Sequence, residues 1–199
     1  MFIEGELILE ISSCRRCGTC CKKGGPSFHS EDRFLIEDGL ILSKHLYTIR
    51  KGETVHDNIK GCLCPTESEI IKIKGKHGRW TCVFFDEHEN GCEIYDNRPA
   101  ECRALKCWDT RDIEKIYACN RLSRKDLLSE IKGLWELIQD HESRCSYRKL
   151  RQLLKQSVEN KDEIQLMLAY DKEIRAVASE KGRIDPEMTD FLFGRPMKL

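Results

Sequence analysis

Eight cysteines in two groups are the residues of this sequence whose type and spacing best suit chemistry. The first group is compact, follows the pattern C-x2-C-x2-C-C, and comprises Cys14, Cys17, Cys20 and Cys21. The second group is spread over the stretch 82–107 and comprises Cys82, Cys92, Cys102 and Cys107. Thiols gathered this densely are used either to crosslink a chain or to hold a metal.

The composition favours metal over disulfides. At 199 residues with 12 cysteines, the chain is long enough to bury a core without crosslinks. It begins with two glutamates before any apolar run, unlike a signal peptide, and no stretch approaches the ~20 apolar residues of a membrane span. We therefore expect a cytoplasmic protein, in which thiols stay reduced and clustered cysteines bind metal. Basic and acidic residues balance at 34 each, which indicates neither a nucleic-acid nor a membrane partner.

The spacing of the first group favours iron–sulfur chemistry. C-x2-C-x2-C lets three thiolates from one loop reach one cluster, with a fourth from elsewhere. On an extended backbone, the neighbouring side chains of Cys20 and Cys21 would point to opposite sides, which suits two metal atoms better than one. The cofactor expected is an iron–sulfur cluster, or two [4Fe–4S] clusters if each group of four holds one. Zinc is the alternative, because C-x2-C pairs are common in four-cysteine zinc sites. The second group, however, contains no C-x2-C pair.

The other sulfur and imidazole groups give weaker indications. Cys62 and Cys64 are interpreted as spare thiols, extra ligands or small buried residues. The isolated Cys119 and Cys145 are expected to be structural. The histidines nearest the two groups are His29 and His88, and both are expected to be exposed loop residues.

On the basis of these cysteines and the residues between them, the chain resembles the YkgJ-type CxxCxxCC cysteine-cluster proteins, which are described as zinc- or iron-chelating. The resemblance covers roughly residues 14 to 107. It rests on the first group, on Cys82 with the apolar residues after it, and on Cys107. It also rests on the combination C-x-I-Y-x2-R-P-x2-C-R, which runs from Cys92 to Arg103. One departure is Leu105-Lys106, where Phe-Pro is expected. The resemblance implies metal chelation by all eight cysteines and implies no settled reaction. Arg98 and Arg103, beside the thiolates, would offset the negative charge of a cluster or pack the short helix.

The surrounding pattern predicts an α+β fold, in which a small cysteine-rich α/β metal-binding domain is followed by an antiparallel helical region. The division expected is 1–120 for the metal-binding domain and 121–199 for the helical extension. Strands are predicted over 1–13, 69–74 and 80–85, with a hairpin over 82–95. Short helices are predicted from Ser30, over 40–49 and over 99–105.

The helical extension is predicted from its caps and apolar stripes. Helices begin near Ser123, before Leu150, at Asn160 and at Asp185. The stripe of the second helix runs over Leu150, Leu153, Leu154 and Val158. These stripes are interpreted as core, and the alternative is a surface that binds a partner.

Three functions remain open at this point. The first is an iron–sulfur protein that transfers electrons or supports a redox partner bound through the C-terminal helices. The second is a structural zinc module that presents a helical interaction surface. The third is a cluster-dependent methyltransferase-like enzyme, since flagellin lysine methylases are broader relatives by the resemblance. No nucleotide-binding glycine motif supports the third, so enzymatic activity stays undecided.

Overall fold

A computed structural model of the protein describes residues 14, 16–155 and 160–198. In that part of the chain, six short strands form three separate antiparallel pairs, β1 with β4, β2 with β3 and β5 with β6. The strands are β1 (Leu46–Ile49), β2 (Thr54–Asp57), β3 (Cys62–Pro65), β4 (Ile70–Ile73), β5 (Phe85–Asp86) and β6 (Gly91–Cys92). The strand expected over 1–13 and the stripe residue Val158 lie outside the described residues.

Eight α-helices complete the described part of the chain, and most of the helical residues lie after residue 123. They are α1 (Arg33–Glu37), α2 (Ala100–Ala104), α3 (Arg111–Ile116), α4 (Arg124–Leu128), α5 (Lys132–Arg144), α6 (Tyr147–Leu154), α7 (Lys161–Glu180) and α8 (Thr189–Phe193). The mixture of small antiparallel sheets and helices confirms the α+β class. Among the described residues, no helix combines the length and the apolar character that crossing a membrane requires.

The β1–β4 pair lies in the core. Its register places Leu46 opposite Ile73 and Ile49 opposite Ile70, and all four residues are buried. The strand predicted over 69–74 is confirmed as β4. The helix predicted over 40–49 is wrong, because a 3-10 turn over Ser43–His45 leads into β1. A short apolar run does not by itself distinguish helix from strand, and here pairing with β4 decides the outcome.

The segment 80–95 is only partly as expected. The strand predicted over 80–85 is wrong for most of its length, since Cys82 makes a single isolated bridge to Gly75 and β5 begins at Phe85. The hairpin is confirmed, with Phe85 opposite Cys92. Asp86 accepts two backbone hydrogen bonds within the connecting turn, from the amides of His88 and Glu89, and these stabilise the turn.

The helical caps predicted from the sequence are largely present. Ser123 and Asp126 form a capping box at the start of α4, and Asp185 accepts a hydrogen bond from the amide of Glu187 at the last helical segment. The apolar stripe after Ser123 belongs to two helices rather than one, because the helical backbone is interrupted near Ile131 between α4 and α5. The short helix over 99–105 is confirmed as α2.

The larger cluster of buried apolar residues takes members from both sides of residue 120. Phe28, Leu35 and Phe85 pack in the same cluster as Ile138 and Ile174 from the long helices. The last helix adds three buried residues to this cluster, Phe191, Leu192 and Phe193. The C-terminal helices therefore pack on the same core that supports the cysteine-bearing elements. Most described residues of the predicted stripes are buried or partly buried, as interpreted, but Ile131 and Leu154 are exposed.

Candidate metal centre

The first cysteine group lies in a tight turn that packs on an aromatic ring. Gly18 has φ +71°, and the amide of Lys22 donates to its carbonyl at 2.9 Å as a 3-10 turn over Cys21–Lys23 begins. A Cβ at position 18 would lie 2.3 Å from Cζ of Phe85. Only glycine combines this left-handed backbone with such close packing on the ring. Gly18 therefore positions the first cysteine loop against β5.

Two arginines and a tyrosine form a second attachment of this loop. The guanidinium carbons of Arg16 and Arg98 lie 4.3 and 3.6 Å from the ring centroid of Tyr95. Arg98 also donates from Nε to the Tyr95 carbonyl at 2.7 Å, and Asn90 donates from Nδ2 to the carbonyl of Arg16 at 3.2 Å. Tyr95 thus links the first cysteine loop to the segment after the hairpin through cation–π contacts.

Three members of the second cysteine group, Cys82, Cys92 and Cys102, come from different segments around this loop. The amide of Cys82 donates to the carbonyl of Cys21 at 2.8 Å, which joins the two groups directly. Cys92 ends β6, and Cys102 lies in α2. The buried carboxylate of Asp32 accepts from the amide of Ala100 at 2.8 Å, which fixes the first turn of α2 and with it the position of Cys102.

The two cysteines of the doublet lie in direct contact. The Sγ atoms of Cys20 and Cys21 lie 3.9 Å apart. Cys20 has right-handed helical dihedral angles, φ −66° and ψ −42°, and Cys21 starts the 3-10 turn. The extended backbone assumed for the doublet in the sequence analysis is therefore wrong, and the two side chains point the same way. Two thiolates bound to one tetrahedral metal at about 2.3 Å would lie about 3.8 Å apart, so this pair suits a single metal atom.

Six of the eight predicted ligands lie close enough for the charge of at least one other to affect their pKa. They are Cys17, Cys20, Cys21, Cys82, Cys92 and Cys102. Cys14 and Cys107 are exposed, and the structure gives neither a contact with another predicted ligand among the described residues. Within that part of the chain, no three of the eight have their sulfurs all within 4.8 Å of one another.

Burial and mutual repulsion keep most of these thiols protonated in the absence of a cation. Burial raises the pKa of Cys82 to about 11. Burial also raises the pKa of Cys102, and the nearby thiolate charges of Cys82 and Cys92 raise it further. Burial raises the pKa of Cys92, which the guanidinium of Arg98 partly offsets. A bound metal cation would displace these protons and remove the repulsion, because thiolates rather than thiols are metal ligands.

The two arginines expected beside the thiolates differ in their surroundings. Arg98 lies near enough to Cys20 and Cys92 to favour their thiolate forms. Arg103 instead donates to the carbonyl of Arg98 and to a carboxylate oxygen of Glu31, at 2.9 Å in the second case. In this arrangement the charge of Arg98 acts on the thiols directly, while Arg103 fixes the backbone that carries Arg98.

The remaining cysteines lie in other elements. Cys62 and Cys64 are two apart on β3, so they share one face of the β2–β3 hairpin, and both are at least partly exposed. Cys119 is exposed and donates from Sγ to the carbonyl of Lys115. Cys145 is fully buried in the smaller core cluster. The structural interpretation of Cys145 fits this position.

One histidine is placed differently from the expectation. His88 is exposed in the turn of the β5–β6 hairpin, as expected. His29 is buried, which makes its expected exposure wrong, because it follows the core residue Phe28 and itself pairs with Arg121 in an isolated bridge. Its Nδ1 lies 2.7 Å from the carbonyl of Cys119, and its Nε2 lies 3.5 Å from a carboxylate oxygen of Glu101.

His29 and Glu101 form a buried polar group, not predicted from the sequence, and Glu101 precedes Cys102 in α2. Glu101 accepts from the amide of Ser27 at 2.6 Å. Burial acts to raise the pKa of Glu101, but His29 and the ammonium group of Lys72 outweigh it and lower the pKa to about 2. Glu101 is therefore an anion within one residue of a predicted ligand. Its place in the motif, between Pro99 and Cys102, was the available sequence signal.

A second buried network missed from the sequence lies between α5 and α7. His141 Nε2 lies 2.7 Å from a carboxylate oxygen of Asp171, and Arg175 and the amide of Met197 also donate to Asp171. Cys145 lies beside them, and the three donor atoms of His141, Cys145 and Asp171 are all within 4.8 Å. Both oxygens of Asp171 already accept two hydrogen bonds, so this network anchors the C-terminal segment. The spacing of four between His141 and Cys145 was its only sequence signal.

Comparison with known proteins agrees with this site. A family model named CxxCxxCC, with the description "Putative zinc- or iron-chelating domain", matches residues 13–123, which is more than half of the chain. No curated protein and no solved structure gives a significant match. The matched range contains all eight predicted ligands and the elements that position them. The chain therefore belongs to the CxxCxxCC family of zinc- or iron-chelating domains, and it is a cysteine-ligated metal-binding protein.

Proposed function

We propose that the clustered thiols hold an iron–sulfur centre that transfers electrons or supports a redox partner. The observation that carries this proposal is the number of thiols in one neighbourhood. Each of six predicted ligands is close enough to at least one other for its charge to affect the pKa, and an iron–sulfur cluster takes four such thiolates. A donor set composed of thiols also matches the soft ligands that iron–sulfur clusters and zinc prefer.

The burial of the site is consistent with electron exchange at the surface. Cys82 is buried in the core, whereas Cys17 and Cys20 are exposed at the loop. A centre held between them would have one side packed against protein and the other near solvent. The positive charge of Arg98 would stabilise the more negative, reduced form of such a centre and so raise its reduction potential.

The distance between Cys20 and Cys21 restricts the type of cluster. A cubane with four cysteine ligands takes one thiolate on each iron, whereas a two-iron cluster takes two thiolates on each. The 3.9 Å separation of the two sulfurs is the separation expected for ligands of one metal atom. A two-iron cluster therefore fits this pair better than two corners of a cubane.

The same distance favours zinc as the second candidate. A single zinc bound by Cys20, Cys21 and two thiolates of the second group would have ordinary tetrahedral geometry. In that case the metal would crosslink the first loop to the hairpin and to α2, and the function would lie in what the protein binds. The exposed side chains Leu154 and Leu166 on α6 and α7 support a protein partner bound through the C-terminal helices in either case.

Metal and acid-labile sulfide analysis of anaerobically purified protein tests this proposal. We expect iron and sulfide in near-equal amounts, with visible absorption that dithionite bleaches reversibly. Zinc without sulfide, and no visible absorption, would overturn the iron–sulfur proposal and leave the structural zinc centre. The Cys119→Ser variant is the matched control, because Cys119 is exposed and its thiol hydrogen-bonds to the carbonyl of Lys115 rather than to a predicted ligand.

A further inference from the structure

A basic cavity lies against the segment that carries Cys82. Its volume is about 400 Å³, within the range of small-molecule sites. Five of the residues that line it are lysines or histidines, namely Lys44, His45, Lys74, Lys76 and His77. In a protein whose formal net charge is zero, this concentration of positive charge is local rather than a consequence of composition.

The positive charge in the cavity is only partly neutralised by the protein. Lys74 donates to the carbonyl of Glu187 at 2.6 Å and lies 3.8 Å from the carboxylate of Asp190. Among the described residues, the structure gives Lys44 and Lys76 no acidic partner within 4 Å, although both line the cavity. The carboxylates of Glu187 and Asp190 offset two of the three ammonium charges, so one net positive charge remains even when both histidines are neutral.

The walls of the cavity are held by packing and hydrogen bonds. His45 packs edge-on against Phe84 with 5.1 Å between ring centroids, and its carbonyl accepts from the amide of Lys74 at 2.8 Å. At Gly75, an added Cβ would lie 1.6 Å from the carbonyl oxygen of Arg79, so the basic loop folds back tightly on itself. His77, in that loop, has φ +52°, a backbone conformation that residues other than glycine rarely adopt.

The cavity shares its wall with the metal centre. Gly75 pairs with Cys82 in an isolated bridge, and the amide of Val83 donates to the carbonyl of Lys74 at 3.0 Å. Cys82 is buried beside Cys21, whereas its neighbour Val83 lines the cavity. A small molecule bound in the cavity would therefore lie against Val83, the residue that follows the proposed metal ligand Cys82.

We propose that this cavity binds a small dianionic oxyanion, of which inorganic phosphate is the simplest example. Lysine ammonium groups bind phosphate as point charges, and Lys44 and Lys76, which have no acidic partner within 4 Å among the described residues, supply two such groups. Burial lowers the pKa of His45, and the ammonium groups of Lys44 and Lys74 lower it further, while the carboxylates of Glu187 and Glu93 act in the opposite direction. The site is independent of which metal the cysteines hold, so its test stands apart from the test of the iron–sulfur proposal.

Equilibrium dialysis of the metal-loaded protein against radiolabelled inorganic phosphate, at constant ionic strength, tests the proposal. We expect saturable binding of one phosphate per chain. The double substitution Lys44→Gln with Lys76→Gln should weaken it by about tenfold for each lysine, since each removes a charge-assisted hydrogen bond. The matched control is Lys125→Gln with Lys172→Gln, which removes the same charge from exposed positions outside the cavity and should leave the affinity unchanged.

Competition distinguishes the possible sources of the oxyanion. Displacement of phosphate by a phosphate monoester such as glycerol phosphate, and not by succinate, would identify a phosphate site, whereas displacement by succinate would identify a dicarboxylate site. Either outcome supports an oxyanion site. Equal weakening in both double variants, or binding that does not saturate, would show nonspecific attraction and overturn the proposal. Circular dichroism of each variant verifies that the fold is retained.

Discussion

Gly18 lies so close to the ring of Phe85 that a Cβ at position 18 would meet Cζ at 2.3 Å. The contact joins the loop of the first cysteine group to the strand that pairs with Cys92. Because β5 pairs with the strand that carries Cys92, the contact places the first cysteine group beside a member of the second. The geometry of the metal centre thus depends on a residue that is not itself a ligand.

The Gly18→Ala substitution should destabilise the protein and reduce its metal content. Two effects combine, because alanine resists the positive φ of +71° and its Cβ collides with Phe85. The matched control is Gly39→Ala, since Gly39 has φ +72° but a Cβ added there would meet no atom within 4 Å. The control should cost about 1 kcal/mol of unfolding free energy in thermal or urea melts, from the backbone effect alone. A Gly18→Ala loss no larger than that of the control would contradict the packing role of Gly18.

Removing one thiol from the proposed centre should remove most of the metal. Cys102→Ser should lose most of its metal, because a hydroxyl is a poor ligand for a metal that prefers thiolates. Mass spectrometry of the metal content per chain, after purification under identical conditions, measures the effect. Cys119→Ser should retain the wild-type metal content, since the thiol of Cys119 donates a hydrogen bond to the carbonyl of Lys115 in α3. Equal metal content in both variants would exclude Cys102 as a ligand.

The buried carboxylate of Asp171 should contribute strongly to stability at neutral pH. Asp171→Asn removes a charge that accepts from His141, Arg175 and the amide of Met197, so we expect a loss of about 3 kcal/mol in unfolding free energy. Glu173→Gln is the matched control, because it removes one exposed carboxylate from the same helix. Its unfolding free energy should change by less than about 0.5 kcal/mol.

The contribution of Asp171 to the unfolding free energy should decrease as the pH falls. Burial alone would raise its pKa, but hydrogen bonds from His141 and Arg175 hold the pKa well below its usual range. A depressed carboxyl pKa contributes stability above the unfolded value of about 4, and that contribution is lost as the pH falls through the folded value. The difference between wild type and Asp171→Asn should therefore shrink in urea titrations performed below about pH 4. A constant difference would contradict this account.

His141 should make the protein less stable in mild acid. Burial lowers its pKa, and its Nδ1 is buried with no hydrogen-bond partner, so protonation would bury an unsatisfied donor. The unfolded state then binds the extra proton below about pH 6.5, and stability falls by at most about 1.4 kcal/mol per pH unit. His141→Gln should flatten this dependence between about pH 7 and 5.5, whereas His88→Gln, in an exposed turn, should not. An unchanged slope in His141→Gln would show that another group controls it.

The elements that local sequence determines were largely predictable. The capping box of Ser123 and Asp126, the short helix that carries Cys102 and the turn that follows Phe85 all depend on residues close together in the chain. The membership of Cys102 in the site followed from the resemblance, and the structure brings it near Cys82 and Cys92.

Features that depend on tertiary pairing were not predictable from the chain alone. The segment 46–49 is a strand because it pairs with β4, and its own residues do not distinguish strand from helix. The burial of His29 depends on Glu101 and on a carbonyl 90 residues away. Because the backbone of Cys20 is helical, its sulfur lies 3.9 Å from that of Cys21. The expectation from an extended chain, that the two thiols bind different metal atoms, is therefore reversed.

X-ray absorption at the edge of the bound metal tests the central claim most directly, because it reports the ligand atoms whatever the metal is. We expect a first coordination shell of sulfur at about 2.3 Å in the wild-type protein. We also expect this shell to be lost or depleted in Cys82→Ser. A shell dominated by nitrogen or oxygen at about 2.0–2.2 Å would contradict a cysteine-ligated centre and direct attention to the histidines and carboxylates instead.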